Sequence, residues 1–507
     1  MRSVHRHLAR CSRERFRLVP DDAFRCVIRG FIPIAEAFQL GTHFAYTIQC
    51  TEFGTRSKTA QALGQRVLQQ ELMVNATTEA APRGGAVNPV TGIPSRKFSL
   101  RAWVTVAVAF TGMAFGQTAI AFLTLGVFMR PLGQEFGWNR GQVAMALSVG
   151  ALVLLFSTPI AGRLIDRIGV RKVLLPSMLG LGLSLCAMYF FTGTLIHFYG
   201  MFVVIGIVGT AANNVSYIRV LSAWFIKRRG LVIGIASAGT AAGQSISVAV
   251  AQNLITTYDW RVAYLGLGLL VLVIGFPIVA LFLRNEPRDV GQEPFGAEEA
   301  GIKSGEPVFS IARAQALRMP VFWSLIFIAF FMAVALHGVQ IHFVPLLMDA
   351  GVSAGQATAV FIGLMSAGAI VGRIGTGILF DHFFAPRVAI IAFMLPMASL
   401  LLVSSGVGHW AFYPMAFFFG IGLGSESDVL GYFTSRYFGM KSMGELYGYI
   451  FGAFMAGSAT GPALYGLVQA RTGNYDAILI ASLVMLVMVC AVCATLPRFK
   501  DVPSAHP

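Results

Sequence analysis

From Ala102 onward the chain alternates long apolar runs with short polar breaks. The runs cover residues 102–129, 142–163, 172–192, 198–225, 230–256 and 261–283, then 320–348, 355–379, 387–406, 410–435, 443–469 and 476–496. Each is close to the ~20 residues an α-helix needs to cross a ~30 Å hydrocarbon core. A transmembrane barrel would show ~10-residue segments of alternating polarity instead. The pattern predicts an all-α membrane protein with twelve transmembrane helices, six on either side of a stretch too hydrophilic for lipid. That stretch, Arg284 to Arg318, holds Glu286, Pro287, Asp289, Glu298, Glu299 and Lys303.

The expected divisions are a six-helix bundle over 101–284, a linker over 285–318, a second bundle over 319–497 and a tail over 498–507. Residues 1–72 differ: they are rich in arginine, hold Cys11, Cys26 and Cys50, and contain no apolar run of spanning length. They read as a basic domain, as an organelle transit peptide, or as the product of an upstream start codon. The last is the expectation, with the start at Met73, because 73–100 has the Gly/Pro/Ser-rich composition of a leader before a first membrane helix.

Charge adds an orientation and an internal repeat. Gly162 to Lys172 packs Arg163, Asp166, Arg167, Arg171 and Lys172 between two apolar runs, and about 215 residues later Gly377 and Asp381 close another run before Arg387 opens the next. Trp224-Phe225 and Tyr437-Phe438, and Asp259-Trp260-Arg261 and Asn474-Tyr475-Asp476, repeat at nearly the same offset. Two halves related by an axis along the membrane normal place a substrate site between them at mid-membrane. The net charge of +15 lies in the tail and in alternate loops, so it reads as topology and not as a nucleic-acid groove. Both termini and the linker are expected on the cytoplasmic face of a bacterial inner membrane. The cysteines have no metal or disulfide spacing, and no phosphate loop or nucleophile elbow occurs. Neither an enzyme nor a cofactor is expected.

The charged loop resembles the major facilitator superfamily, whose Gly-x-x-x-Asp-Arg-x-Gly-x-Arg-Lys is matched by Gly162, Asp166, Arg167, Gly169, Arg171 and Lys172. The likeness covers roughly residues 100–497 and implies two pseudo-symmetric six-helix bundles. It also implies a gate, in which Asp166 meets the start of helix 11 near Met443 to Glu445. Asp381 would meet the start of helix 5 near Gly230 as a weaker twin, since His382-Phe383-Phe384 replaces the expected basic residue and glycine. Ala369-Ile-Val-Gly-Arg373-Ile-Gly-Thr-Gly377 resembles helix 8 of the monocarboxylate transporters, in the branch that also holds the oxalate:formate antiporters. That likeness implies Arg373 as the group holding a substrate carboxylate. Two departures stand out: Ala369 replaces an acidic partner, and helix 1 lacks the proton-binding lysine near Ala121 and Phe122.

Ionisable groups inside membrane helices are costly and mark function. Here they are Arg219, His337, Arg373, Glu426 and Asp428. Glu426 and Asp428 lie ~200° apart around a helix, so one is expected to look into a cavity while the other is held by a neighbour, Arg219 or Tyr432. They are the expected proton-coupling groups. For His337 and Arg219 a packing role competes with substrate contact. Gln117, Asn213 and Asn214 supply further polarity for a cavity lined by helices 1, 4, 7 and 10. The sequence thus predicts a monomeric secondary transporter, embedded in a lipid bilayer, that moves a small organic anion together with protons by alternating access. Export of amphipathic compounds and a non-transporting sensor are the alternatives.

Overall fold

The computed structural model describes residues 100–297, 310–349, 351–404 and 409–499. The expectations for 1–72 and for the 73–100 leader, apart from Leu100 in the helix itself, lie outside the described residues. Among the described residues, twelve long helical segments follow in order, apart from a few short helical turns. Segment α1 is built of Leu100–Ala114, a π-helical turn Thr118–Phe122 and Leu125–Phe136. Then come α2 Arg140–Ile168, α3 Val170–Ala187, α4 in two pieces, Leu195–Gly209 and Asn214–Trp224, and α5 Arg229–Thr257. Segment α6 joins Trp260–Leu269, a π-helical stretch Leu270–Gly275 and Phe276–Phe282. After the polar stretch come α7 Pro320–Asp349 and α8, made of Ala354–Val360, a π-helical turn Phe361–Met365 and Ser366–His382. The last four are α9 Ala385–Ser404, α10 Phe412–Phe438, α11 Met443–Thr472 and α12 Asp476–Thr495.

Ten of these segments are long and apolar enough to cross a membrane on length and composition alone. The other two, α10 and α11, are 27 and 30 residues long, but glycine, serine and the carboxylates of Glu426, Asp428 and Glu445 lower their hydropathy. Burial explains why that is tolerated. From Phe419 almost every residue of α10 is buried, as is most of α11 from Met443 to Gly457, so these helices face protein and not lipid. Exposed apolar side chains lie outside these buried stretches, such as Leu152, Phe156 and Ile160 on α2 and Ile480 and Val484 on α12.

The packing repeats between the halves. In the first, α1 lies on α5, α2 and α3 on α4, and α3 and α5 on α6; in the second, α7 lies on α11, α8 and α9 on α10, and α9 on α12. Two equivalent crossings join the halves, α2 with α11 and α5 with α8.

The sequence reads residues 198–225 as one continuous helix, whereas α4 breaks between Gly209 and Asn214. Asn213 is extended (φ −134°, ψ 176°) and caps the second piece, its side-chain oxygen accepting the N–H of Asn214 at 2.8 Å. The freed backbone groups find side-chain partners, as low-dielectric surroundings demand. The Ser177 hydroxyl donates to Val208 O at 2.6 Å and accepts from the N–H groups of Ala211 and Ala212 at 3.1 Å each. From α1, Gln117 Nε2 donates to Ile205 O at 2.9 Å, and the Gln117 backbone donates to Ala212 O at 2.9 Å.

Candidate functional site

Two groups of polar residues occupy the seam between the six-helix sets. The first closes one end of it. Asp166, near the end of α2, accepts hydrogen bonds from the N–H groups of Gly444 at 3.0 Å and Glu445 at 2.9 Å, in the first turn of α11. Asp381, near the end of α8, accepts from Gly230 at 2.8 Å and Leu231 at 2.9 Å, in the first turn of α5. A carboxylate so placed satisfies donors that have no partner within the helix and meets the positive end of the helix dipole. The approach is possible because glycine faces glycine: a Cβ on Gly162 would overlap the carbonyl of Gly444, and a Cβ on Gly230 that of Gly377.

The twin expected to be weaker is therefore as complete as the first. In both contacts the hydrogen bonds that cross the seam come from backbone N–H groups, so the departure at His382-Phe383-Phe384 removes neither of the Asp381 bonds. Gly169 has φ +90° and sits where a Cβ would crowd the Asn285 amide, which accounts for glycine in the loop. Arg167 is exposed, and Arg171 donates through Nη1 to Leu283 O at 2.9 Å.

Arg219 departs from expectation. Its Nε lies 3.4 Å from Asp166 Oδ1 and its Nη2 3.9 Å from Glu286 Oε1, so it belongs to the closed end and pairs with neither Glu426 nor Asp428. Tyr432 is not their partner either, since its hydroxyl donates to Phe380 O at 2.9 Å.

The second group lies deeper, on α7, α8, α10 and α11. Arg373 Nη1 is 3.9 Å from Asp428 Oδ1, with side chains 14% and 2% exposed. His337 Nε2 is 3.5 Å from Glu426 Oε1. The two carboxylates thus diverge as their spacing requires, Glu426 toward α7 and Asp428 toward α8, but a neighbour holds each of them. Asp428 Oδ1 also accepts from the Ser427 hydroxyl at 3.3 Å, and Ser237 of α5 faces it. The opposite half reaches this cluster because Gly234 of α5 lies against the Arg373 carbonyl. Tyr447, buried on α11, donates to Ser427 O at 3.4 Å. Among the described residues, Arg373 Nε and Nη1, Asp428 Oδ2 and Glu426 Oε2 are buried without a hydrogen-bond partner. The pairing is therefore incomplete, and each group keeps capacity for a further partner.

The α1 and α4 candidates divide. Gln117 spends its donor inside its own half, on Ile205 O and Gly206 O, and Thr118 donates to Asn213 Oδ1 at 3.0 Å. Asn214 shares a helix face with Ile218, one turn on. Ile218 packs on Gly431 of α10, where a Cβ would come within 2.8 Å, so that face looks across the seam toward the carboxylate helix. Sequence reasoning missed Tyr447, which was hidden in a run of small and aromatic residues. The α4 break had a signal in Asn213-Asn214, since asparagine favours the residue before a helix.

The arrangement of the helices agrees with the comparisons. The sequence model of the Major Facilitator Superfamily matches residues 102–462, and the chain belongs to that family. Monocarboxylate transporter 11 of Homo sapiens is 24% identical over 427 residues, covering 80% of this chain and 84% of its own. Monocarboxylate transporter 13 of Rattus norvegicus is 26% identical over 397 residues, covering 76% and 88%. Among solved structures, the proton:xylose symporter XylE bound to 6-bromo-6-deoxy-D-glucose superposes with a TM-score of 0.62 at 14% identity, covering 80% of this chain and 96% of that one. At that identity the superposition establishes the fold. The chain is a multi-pass membrane transporter of this family, and its relatives are not enzymes.

Proposed function

We propose that this transporter carries a small organic anion with one carboxylate by alternating access, coupled to protons. The observation that carries the reading is the Arg373–Asp428 pair, buried where the halves meet and separated by 3.9 Å, longer than a direct charge-assisted hydrogen bond. A guanidinium presents a planar fork that matches a carboxylate. Asp428 holds that fork at rest, and a substrate carboxylate competes with it. A proton on Asp428 removes the competitor, so loading of proton and anion favour each other. The missing acid at Ala369 is in this reading replaced from another helix, by Asp428 of α10. Glu426 with His337 forms a second titratable pair on the same helices, and Asn213, Asn214 and Gln117 contribute polarity from α1 and α4. The names of the two monocarboxylate transporter relatives support the cargo class. The excess of Lys and Arg in the loops at the Asp166 end supports placing that end and both termini in the cytoplasm, at the inner membrane of a bacterium. The cytoplasmic gate is then shut in this conformation, and the protein works as a monomer.

The test is uptake of short-chain labelled monocarboxylates into proteoliposomes under an imposed pH gradient. Accumulation is expected, and Arg373→Gln should lower it by about 30-fold or more, the cost of leaving a buried charge partner unpaired. Neutralising the proton carrier, Asp428→Asn or Glu426→Gln, should abolish accumulation while substrate-for-substrate exchange persists. Normal accumulation by both neutral variants would rule these carboxylates out as carriers, and anion binding without flux would identify a sensor.

A further inference from the structure

The polar stretch between α6 and α7 is fastened at both of its described ends. Phe295 pairs in parallel with Phe225 in the loop after α4. Its N–H donates to Trp224 O at 2.8 Å, its carbonyl accepts from Ile226 at 3.0 Å and Lys227 at 3.3 Å, and the two rings lie 5.5 Å apart. The next residue, Gly296, has φ +85°, which favours glycine there. Beyond residues 298–309, Ser310 pairs in antiparallel fashion with Gly439 in the loop after α10. The Ile311 N–H donates to Phe438 O at 2.9 Å, and the Ser310 hydroxyl accepts from Met440 N at 3.2 Å.

The two anchored loops are equivalents in the internal repeat, and each runs directly into a helix start gripped by a carboxylate of the opposite half. The loop held by Phe295 leads to Gly230 and Leu231, on Asp381. The loop held by Ser310 and Ile311 leads to Gly444 and Glu445, on Asp166. Side chains of the same stretch also reach residues beside these contacts: Asn285 accepts from Arg171 N at 2.8 Å, and Arg313 Nε is 2.9 Å from Glu445 Oε1. A passive tether between two bundles requires none of these contacts.

We infer that the two anchored segments, one at Phe295 and one at Ser310 and Ile311, each act as a clasp that presents the adjoining helix start to its carboxylate, and that together they set how readily this end of the transporter opens. The clasp presupposes the alternating access proposed above. It is read by a distance, however, so its failure is distinguishable from a wrong cargo. The experiment places spin-label pairs on exposed residues that flank each contact, Arg167 with Lys441 and Arg228 with His382, in the full chain in bilayers. Phe295→Pro and Ile311→Pro each delete one anchoring N–H. Loss of one such bond should raise the long-distance component about fivefold, chiefly at Arg228/His382 for the first and at Arg167/Lys441 for the second. Ser310→Ala, which removes only the hydroxyl bond to Met440, should act in the direction of Ile311→Pro with smaller size. If the proline variants do not fold, Phe295→Ala and Ser310→Ala decide by the same readout. Distributions identical to the parent in the folded variants would overturn the clasp.

Discussion

Asp166 and Asp381 perform the same act with different surroundings. Each accepts two backbone hydrogen bonds of 2.8 to 3.0 Å from the first turn of a helix in the other half, and each lies beside a pair of facing glycines. Only Asp166 has a guanidinium against it, Arg219 at 3.4 Å. Near Asp381 the guanidinium of Arg229 is committed elsewhere, to Phe225 O, Ser222 O and the Ser435 hydroxyl. The unadorned contact is no longer and no less complete than the decorated one. The minimum device is thus a carboxylate, a helix start and glycine on both sides, and the charged residues around Asp166 must do something other than make the contact.

The comparison breaks most severely at the glycines. Gly162→Ala and Gly230→Ala each put a Cβ into an opposing backbone carbonyl, which a side-chain rotation cannot relieve. Overpacking of this kind costs about 1–3 kcal/mol, so both variants should lower the closed population at least fivefold in spin-label distance measurements. Gly375→Ala on α8, where no atom lies within 4 Å of the added Cβ, should change nothing. A normal closed population in Gly162→Ala or Gly230→Ala would mean that the seam does not depend on backbone approach.

How far the sequence foretold this seam depends on what each signal encodes. The apolar runs report length and composition, so the twelve segments were legible, including α10 and α11, whose low hydropathy reflects burial. The loop motif gave Asp166 and its target, and the repeat gave Asp381. Partner choice deeper in the membrane was not legible, because it depends on helix rotation. Arg373 meets Asp428 since Gly368 and Gly372 bring α8 onto the carbonyls of Phe417 and Ile421. A glycine stripe announces a close neighbour without saying which helix it is. The break in α4 was masked for a related reason: Gly209 to Asn213 is too short a polar interruption to divide an apolar run. Its partners, Gln117 and Ser177, come from helices distant in sequence.

A milder perturbation removes the charge and keeps the shape. Asp166→Asn and Asp381→Asn each retain one acceptor oxygen and forfeit the interaction of an anion with a helix start, worth about 0.3–2 kcal/mol. Both should reduce the closed population by about 1.7-fold to about 30-fold without impairing membrane insertion, as judged by yield and monodispersity. If the minimum device is sufficient, the two reductions should agree within about threefold, the usual scatter of such contributions at differing sites. A null effect of Asp381→Asn beside a large effect of Asp166→Asn would restore the sequence-based ranking of the pair.

The smallest expected effect belongs to Arg219, and it isolates what the surrounding charges do. Arg219 on α4 and Asp166 on α2 lie in the same half of the molecule, so their contact does not cross the seam and cannot itself hold the halves together. It can act on the gate by orienting the carboxylate or through Glu286 of the polar stretch. The contact at 3.4 Å is a long hydrogen bond between side chains 13% and 9% exposed, and Asp166 keeps both backbone donors without it, so Arg219→Gln, which retains a donor, should cost about one hydrogen bond and lower the closed population by about fivefold. The decisive measurement is the cycle of Arg219→Gln, Asp166→Asn and the double variant. If Arg219 acts through Asp166 alone, its replacement should have no further effect once Asp166 is neutral, and the coupling in the cycle should equal the whole effect of the single variant. Additive effects would show a separate role for Arg219, through Glu286 at 3.9 Å, in fastening the polar stretch to the gate.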